Sequence, residues 1–186
     1  MKITRFLFHF ALFVLVLPFV CLAQNNQMVQ KLSSQNPFTI DPCDGTKTLA
    51  NTFDIGIFSA GFFDANKLGV ATSKDKTVEV YDVVSKATTM EMFASLQQVL
   101  SETSLTQNQI VSFCKKYPHI VSQEHQTLFL FKQDRQLLIA HLFYDEKNDL
   151  SVAVWPLGED SRIWYPGLKF RLVVAKPSGI DPYYPD

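Results

Sequence analysis

Past residue 23, three histidines are the side chains best able to hold a metal or exchange a proton near neutral pH: His119, His125 and His141. His119 and His125 lie six apart with Glu124 between them, and Asp145 and Asp149 follow His141. A small hydrolase or metal-dependent enzyme could be assembled from these groups and scattered carboxylates. Metal-binding pairs come at one-turn helical or hairpin spacing, however, and six apart is neither. Two solvent-facing loop histidines are the simpler reading. His141 shares its alternation set with Leu137, Ile139 and Phe143. It reads as a sheet histidine satisfied by one hydrogen bond rather than a base.

The cysteines offer different chemistry. Removal of residues 1–23 leaves Cys43 and Cys114. Two cysteines in a small exported domain are a candidate disulfide, and closing a loop of about 70 residues would contribute on the order of 4 kcal/mol. Cys114 also has Lys115, Lys116 and His119 close by, as an activated thiol would, but it falls on the apolar stripe near the end of its helix. The bridge is the expectation. Asp41-Pro-Cys-Asp-Gly45 begins like a calcium loop, yet Thr46-Lys47-Thr48 does not continue the alternating oxygen ligands, and it reads as an ordinary turn.

Aromatics beside prolines form the remaining constellation. Trp164-Tyr165-Pro166 and Tyr183-Tyr184-Pro185 present large rings that lose little rotamer entropy on contact. Trp164, Tyr165, Tyr183 and Tyr184 are therefore the candidate binding residues, for a protein or cell-surface partner. The competing arrangement folds the rings back to seal the core. No phosphate-cradling glycine loop, nucleophile elbow, HExxH or paired CxxC occurs, so no cofactor is implied.

The positioning elements are legible from periodicity. Thr127–Lys132, Gln136–Tyr144 and Leu150–Trp155 are apolar runs divided by short polar clusters, the pattern of an antiparallel meander. The central run is apolar on both alternation sets and needs cover on both faces. Phe53–Phe58, Thr77–Val84 and Phe170–Ala175 read as further strands. Thr88 with Glu91, and Thr106 with Gln109, have capping-box spacing. They predict helices from about Thr89 to Ser101 and from about Gln107 to Tyr117, the second stopped by Pro118. About four residues would join them into a helical hairpin.

The N-terminus reads as a targeting segment. Lys2 and Arg5 precede an apolar run from Phe6 to Val20, and Cys21-Leu-Ala23 supplies small residues for cleavage. The run is shorter than the ~20 residues a spanning helix needs. Cleavage after Ala23 would leave 163 of the 186 residues, with 15 basic against 18 acidic side chains. A net charge of −3 without like-charge runs argues against nucleic acid as a partner, and no other apolar stretch approaches membrane length, so no membrane span is expected after cleavage.

The expected organisation is a signal peptide over 1–23, a flexible lead-in and loop over 24–45, one α+β domain over 46–176, and an extended tail over 177–186. The domain is expected to hold an antiparallel sheet of about five to six strands with the helical hairpin packed on one face. The expected function is an exported, periplasmic or extracellular, non-enzymatic binding protein; the alternative is the small hydrolase or metal enzyme.

Overall fold

The computed structural model describes residues 27–34, 36–55, 63–159 and 161–177. The signal-peptide reading, the cleavage site, Tyr183 and Tyr184 lie outside them, as does the second half of the expected Phe53–Phe58 strand.

In chain order the elements are β1 (Val29–Lys31), β2 (Phe38–Ile40), β3 (Asp54–Ile55), β4 (Lys76–Val83), β5 (Ala87–Thr88), α1 (Thr89–Ala94) and α2 (Gln107–Lys116). After these come β6 (Gln126–Gln133), β7 (Gln136–Tyr144), β8 (Leu150–Pro156), β9 (Ile163–Trp164), a 3-10 turn at Pro166–Leu168 and β10 (Phe170–Ala175). Among the described residues the regular structure is mostly sheet, with few helices. Eight strands share one sheet in the order β1-β4-β10-β6-β7-β8-β3, with β2 also on β4, while β5 and β9 make a separate ribbon.

The meander forms from the three apolar runs. β6 pairs antiparallel with β7, from Thr127 opposite Leu142 to Gln133 opposite Gln136, and β7 pairs antiparallel with β8. The sheet is nevertheless mixed. β10 inserts between β4 and β6, antiparallel to the first and parallel to the second, and β3 runs parallel to β8. A parallel neighbour needs a long crossover, here the chain through β7, β8 and β9, and strand periodicity carries no record of it.

The lead-in is also more ordered than its composition suggests. Val29 and Phe38 are buried, and each anchors a short strand on the same edge of β4.

The helical hairpin does not form. Both capping boxes are present, with Thr88 Oγ1 accepting from Glu91 N and Thr106 Oγ1 from Gln109 N. But α1 ends at Ala94, and Gln97 takes a left-handed φ of 53°. Leu96, Val99 and Leu100 keep helical spacing in a segment that is not helix, because tertiary contacts override the local pattern.

The two helices cover opposite faces of the sheet. Ile110, Val111, Phe113 and Cys114 of α2 pack with Phe129, Phe131, Leu138, Ala140, Val154 and Val173. Met92 and Phe93 of α1 pack with Leu128, Leu130, Ile139, Trp155, Leu172 and Val174. The cover demanded by a strand apolar on both faces is thus supplied, one helix to each side.

The chain changes faces by passing through the sheet. The parallel pairing of β10 and β6 stops at Val173 opposite Phe129. Beyond it Thr103–Leu105 enters the gap: Ala175 N–H donates to Thr103 O at 2.7 Å, Leu105 N–H to Leu130 O and Lys132 N–H to Leu105 O, each at 2.9 Å. Thr103 and Leu105 are fully buried there.

Candidate functional site

At one end of the α1 face, aromatic side chains from four strands gather around His141. Alternation puts Trp155 of β8 and Phe170 of β10 on the same face as His141 of β7. Trp164 of β9 closes over them. Its ring centroid lies 4.4 Å from that of Phe170 and 5.5 Å from that of His141, and it stacks on Trp155 at 6.2 Å with 14° between planes.

His141 is 8% exposed, and its Nε2 lies 2.7 Å from Gln126 Oε1. An amide oxygen only accepts, so Nε2 carries the hydrogen. The guanidinium of Arg162 covers both indoles, 4.4 Å from the Trp155 ring and 5.0 Å from the Trp164 ring. Such an arrangement is a cation–π contact on each ring.

Trp164 is only 7% exposed, and its Nε1–H donates to the buried Thr89 Oγ1 at 2.8 Å. Its expected role as a surface contact is therefore corrected. A large amphipathic ring beside an uncovered sheet end is worth more buried, and a hydroxyl on α1 satisfies its polar atom. Tyr165 behaves otherwise. One residue on, it points away and is 53% exposed, with Ile163 on the other side of Trp164 at 49% and Leu168 in the 3-10 turn at 54%.

This outward surface is held rigidly. Ile163 pairs with Thr88 and Trp164 with Ala87. At the far end Gln126 N–H donates to Lys169 O, which ties the turn to β6. Met90 of α1 is also exposed, and its methyl lies where a Cβ on Gly158 would approach within 3.1 Å. Ile163, Leu168, Met90 and Arg162 escaped the sequence reading. Alternation about Trp164 could have flagged Ile163; the others depend on packing.

The remaining histidines go elsewhere. His125 Nδ1 lies 3.2 Å from Ser122 Oγ, and burial together with the Arg171 charge holds its pKa below the ordinary value. The exposed His119 sits against the ring of Tyr117. Asp145 accepts backbone N–H groups from Asp149 and Lys147, with Ser151 Oγ nearby, which keeps its carboxyl below the usual range as the cap of a turn. Among the described residues no three His, Cys, Asp or Glu side chains are grouped to hold a metal ion. No described helix is long and apolar enough to cross a membrane.

The two cysteines are free and buried, contrary to the expected bridge. Cys43 Sγ lies 3.7 Å from Ser112 Oγ on α2. Ser112 and Cys114 are two residues apart, roughly 200° around the helix, so the thiols meet different sides of it. Burial pushes the Cys114 thiol well up, the reverse of what a nucleophile needs. Asp41 and Asp44 also diverge, the first to Lys116 Nζ at 2.5 Å and the second to the backbone and hydroxyl of Thr46, so the Asp41–Gly45 stretch is a capped turn.

No protein-family model matches the chain, and no curated protein or solved structure is significantly similar to it.

Proposed function

We propose that the protein is an exported, non-enzymatic binding module whose contact surface is the outer side of the β9 ribbon and its turn, presenting Ile163, Tyr165 and Leu168. One observation carries this reading: buried Trp164 anchors the ribbon while the apolar side chains around it stand about half exposed. A large ring on a backbone fixed at both ends loses little entropy when a partner covers it, which is how interface anchors gain affinity. The fitting partner is a protein or cell-surface component with an apolar patch of its own. Export rests on the charge and apolar layout of residues 1–23.

Display of the chain on beads against an extract of the exporting cell's envelope and medium tests the reading. Tyr165→Ala with Leu168→Ala is expected to abolish specific capture while leaving the melting temperature within about 2 °C, since exposed substitutions seldom exceed ±0.5 kcal/mol. Capture unchanged in the double variant would remove the ribbon from consideration. A stoichiometric metal in protein purified from its exporting host would instead favour the metal-enzyme alternative.

A further inference from the structure

β1 and β2 cover the same edge of β4 but out of step. Continuing the β1 register would set Ser34 opposite Val78, a place taken by Phe38. The two strands are also held unequally. Phe38 and Ile40 of β2 are buried, and the Tyr117 hydroxyl of α2 accepts from Thr39 N–H at 3.0 Å and donates to Thr39 O at 3.1 Å. β1 buries Val29 alone of its three side chains, leaving Gln30 and Lys31 exposed.

A buried carboxylate pins β1. Glu79 of β4 is 8% exposed, and Lys31 Nζ donates to its Oε1 at 2.5 Å. Its Oε2 accepts from the Tyr81 hydroxyl at 2.7 Å and, from the connection after α1, from Gln98 Nε2 at 3.2 Å. β10 sets Val174 opposite Glu79, and Thr77 and Lys176 line the groove beside it. Among the described residues Lys31 is the one cation in an ion pair with Glu79. A buried ion that loses its counter-charge is costly, so an ionised Glu79 keeps Lys31, and β1 with it, against the sheet.

We propose that β1 is a strap latched by the Lys31–Glu79 pair, closed while Glu79 is ionised and opened by its protonation. The broken register lets β1 lift while β2 stays riveted to α2. Opening frees the backbone of β4 from Val80 to Ser85. Leu32 N–H donates to Val80 O at 2.8 Å, and Met28 O accepts from Val84 N–H at 2.9 Å and from Ser85 N–H at 3.3 Å. A bare edge of this kind is a template for another strand, and the latch decides when it is offered. Burial by itself would raise the Glu79 carboxyl, but the Lys31, Tyr81 and Gln98 donors together hold it below its ordinary 4.5. The latch is therefore complete above that value and is lost as pH falls through the lower, closed-state one.

Hydrogen–deuterium exchange of the full chain, read by peptide mass analysis, tests the latch. Glu79→Gln keeps the size of the side chain and removes its charge. At pH 7 it is expected to speed exchange in residues 28–32 and 80–85 at least about tenfold and to leave the β6–β7 meander unchanged. Lys31→Gln, at an exposed position, is expected to do the same, and the two together no more than either alone. In the parent chain, exchange of these residues relative to the meander is expected to rise from about pH 6 to about pH 3, and in Glu79→Gln to stay flat. Exchange at residues 28–32 unchanged in both variants, accelerated equally across the meander, or indifferent to pH in the parent chain would each overturn the proposal.

Discussion

Ala175 donates its backbone N–H to the carbonyl oxygen of Thr103 at 2.7 Å, which places a segment from between the helices beside the last strand of the sheet. Leu105, two residues on, bonds to β6 on the opposite side of the same gap and is buried within it. The segment therefore acts as a short internal wedge that fills the splayed end of the parallel pair. Leu105→Ala is expected to cost about 2–5 kcal/mol, because neighbours fixed in three strands relax little around the cavity. Thermal unfolding should fall by roughly 5–15 °C. A loss below about 1 kcal/mol would mean that the wedge is loosely held.

That wedge also marks where reading the sequence stops. The meander, both capping boxes, the end of α2 before Pro118 and the strand Phe170–Ala175 follow from local signals, since each is set by periodicity or by a cap within four residues. The side of the sheet each helix covers is not a local property. Leu96, Val99 and Leu100 fit an extended α1 as well as they fit the path taken, and the choice is made by partners in β6 and β10. At the candidate site the balance is similar. Trp164 and Tyr165 are adjacent and alike in composition, and their fates divide on one hydroxyl, that of Thr89, 75 residues away.

Gly45 holds together the long connection ahead of β4. Its φ is 81°, and a Cβ there would stand 2.6 Å from Gly69 O. Gly69 N–H in turn donates to Gly45 O at 2.9 Å, so the two loop strands touch backbone to backbone. Gly45→Ala is expected to destabilise by at least about 1–2 kcal/mol through left-handed strain alone, with the clash added. Gly69→Ala, with nothing nearer than 3.8 Å, serves as the control and should melt within a few degrees of the parent chain.

Acid sensitivity has a traceable source in the same loop. The Thr46 backbone N–H, the Thr46 hydroxyl and the Asn108 amide hold the Asp44 carboxyl down at about 2, against 3.8 ordinarily. A carboxyl depressed in the folded state contributes stability that is complete above pH 3.8 and disappears as pH falls toward 2. Asp44→Asn should flatten the melting curve's dependence on pH across that window and leave its neutral-pH slope alone. An unchanged acid limb would show that the loop's bonds do not outlast the first stages of unfolding.

Both thiols should resist modification in the folded protein. Cys43 and Cys114 are buried, and burial disfavours the Cys114 thiolate that would react. Peptide mass analysis after iodoacetamide at pH 8 is expected to show no adduct at Cys43 or Cys114 without denaturant and one at each with it. A native species two hydrogens light would restore the disulfide and require α2 to rotate toward Cys43.

Trp155 and Trp164 separate ring packing from hydrogen bonding. Both rings are buried, both lie under the Arg162 guanidinium and both contact His141. The Trp164 N–H is bonded to Thr89, whereas the Trp155 N–H is buried with no partner among the described residues. Replacement by phenylalanine trims similar area from each. At Trp164 it also strips Thr89 of its indole donor, and at Trp155 it removes a donor with no partner among the described residues. Trp164→Phe should therefore cost about 1–2 kcal/mol more than Trp155→Phe in parallel denaturant titrations. Equal costs would mean that ring packing alone fixes the ribbon, and the Thr89 bond could then be dispensed with; the predicted difference would establish that one side-chain bond holds the proposed contact surface in place.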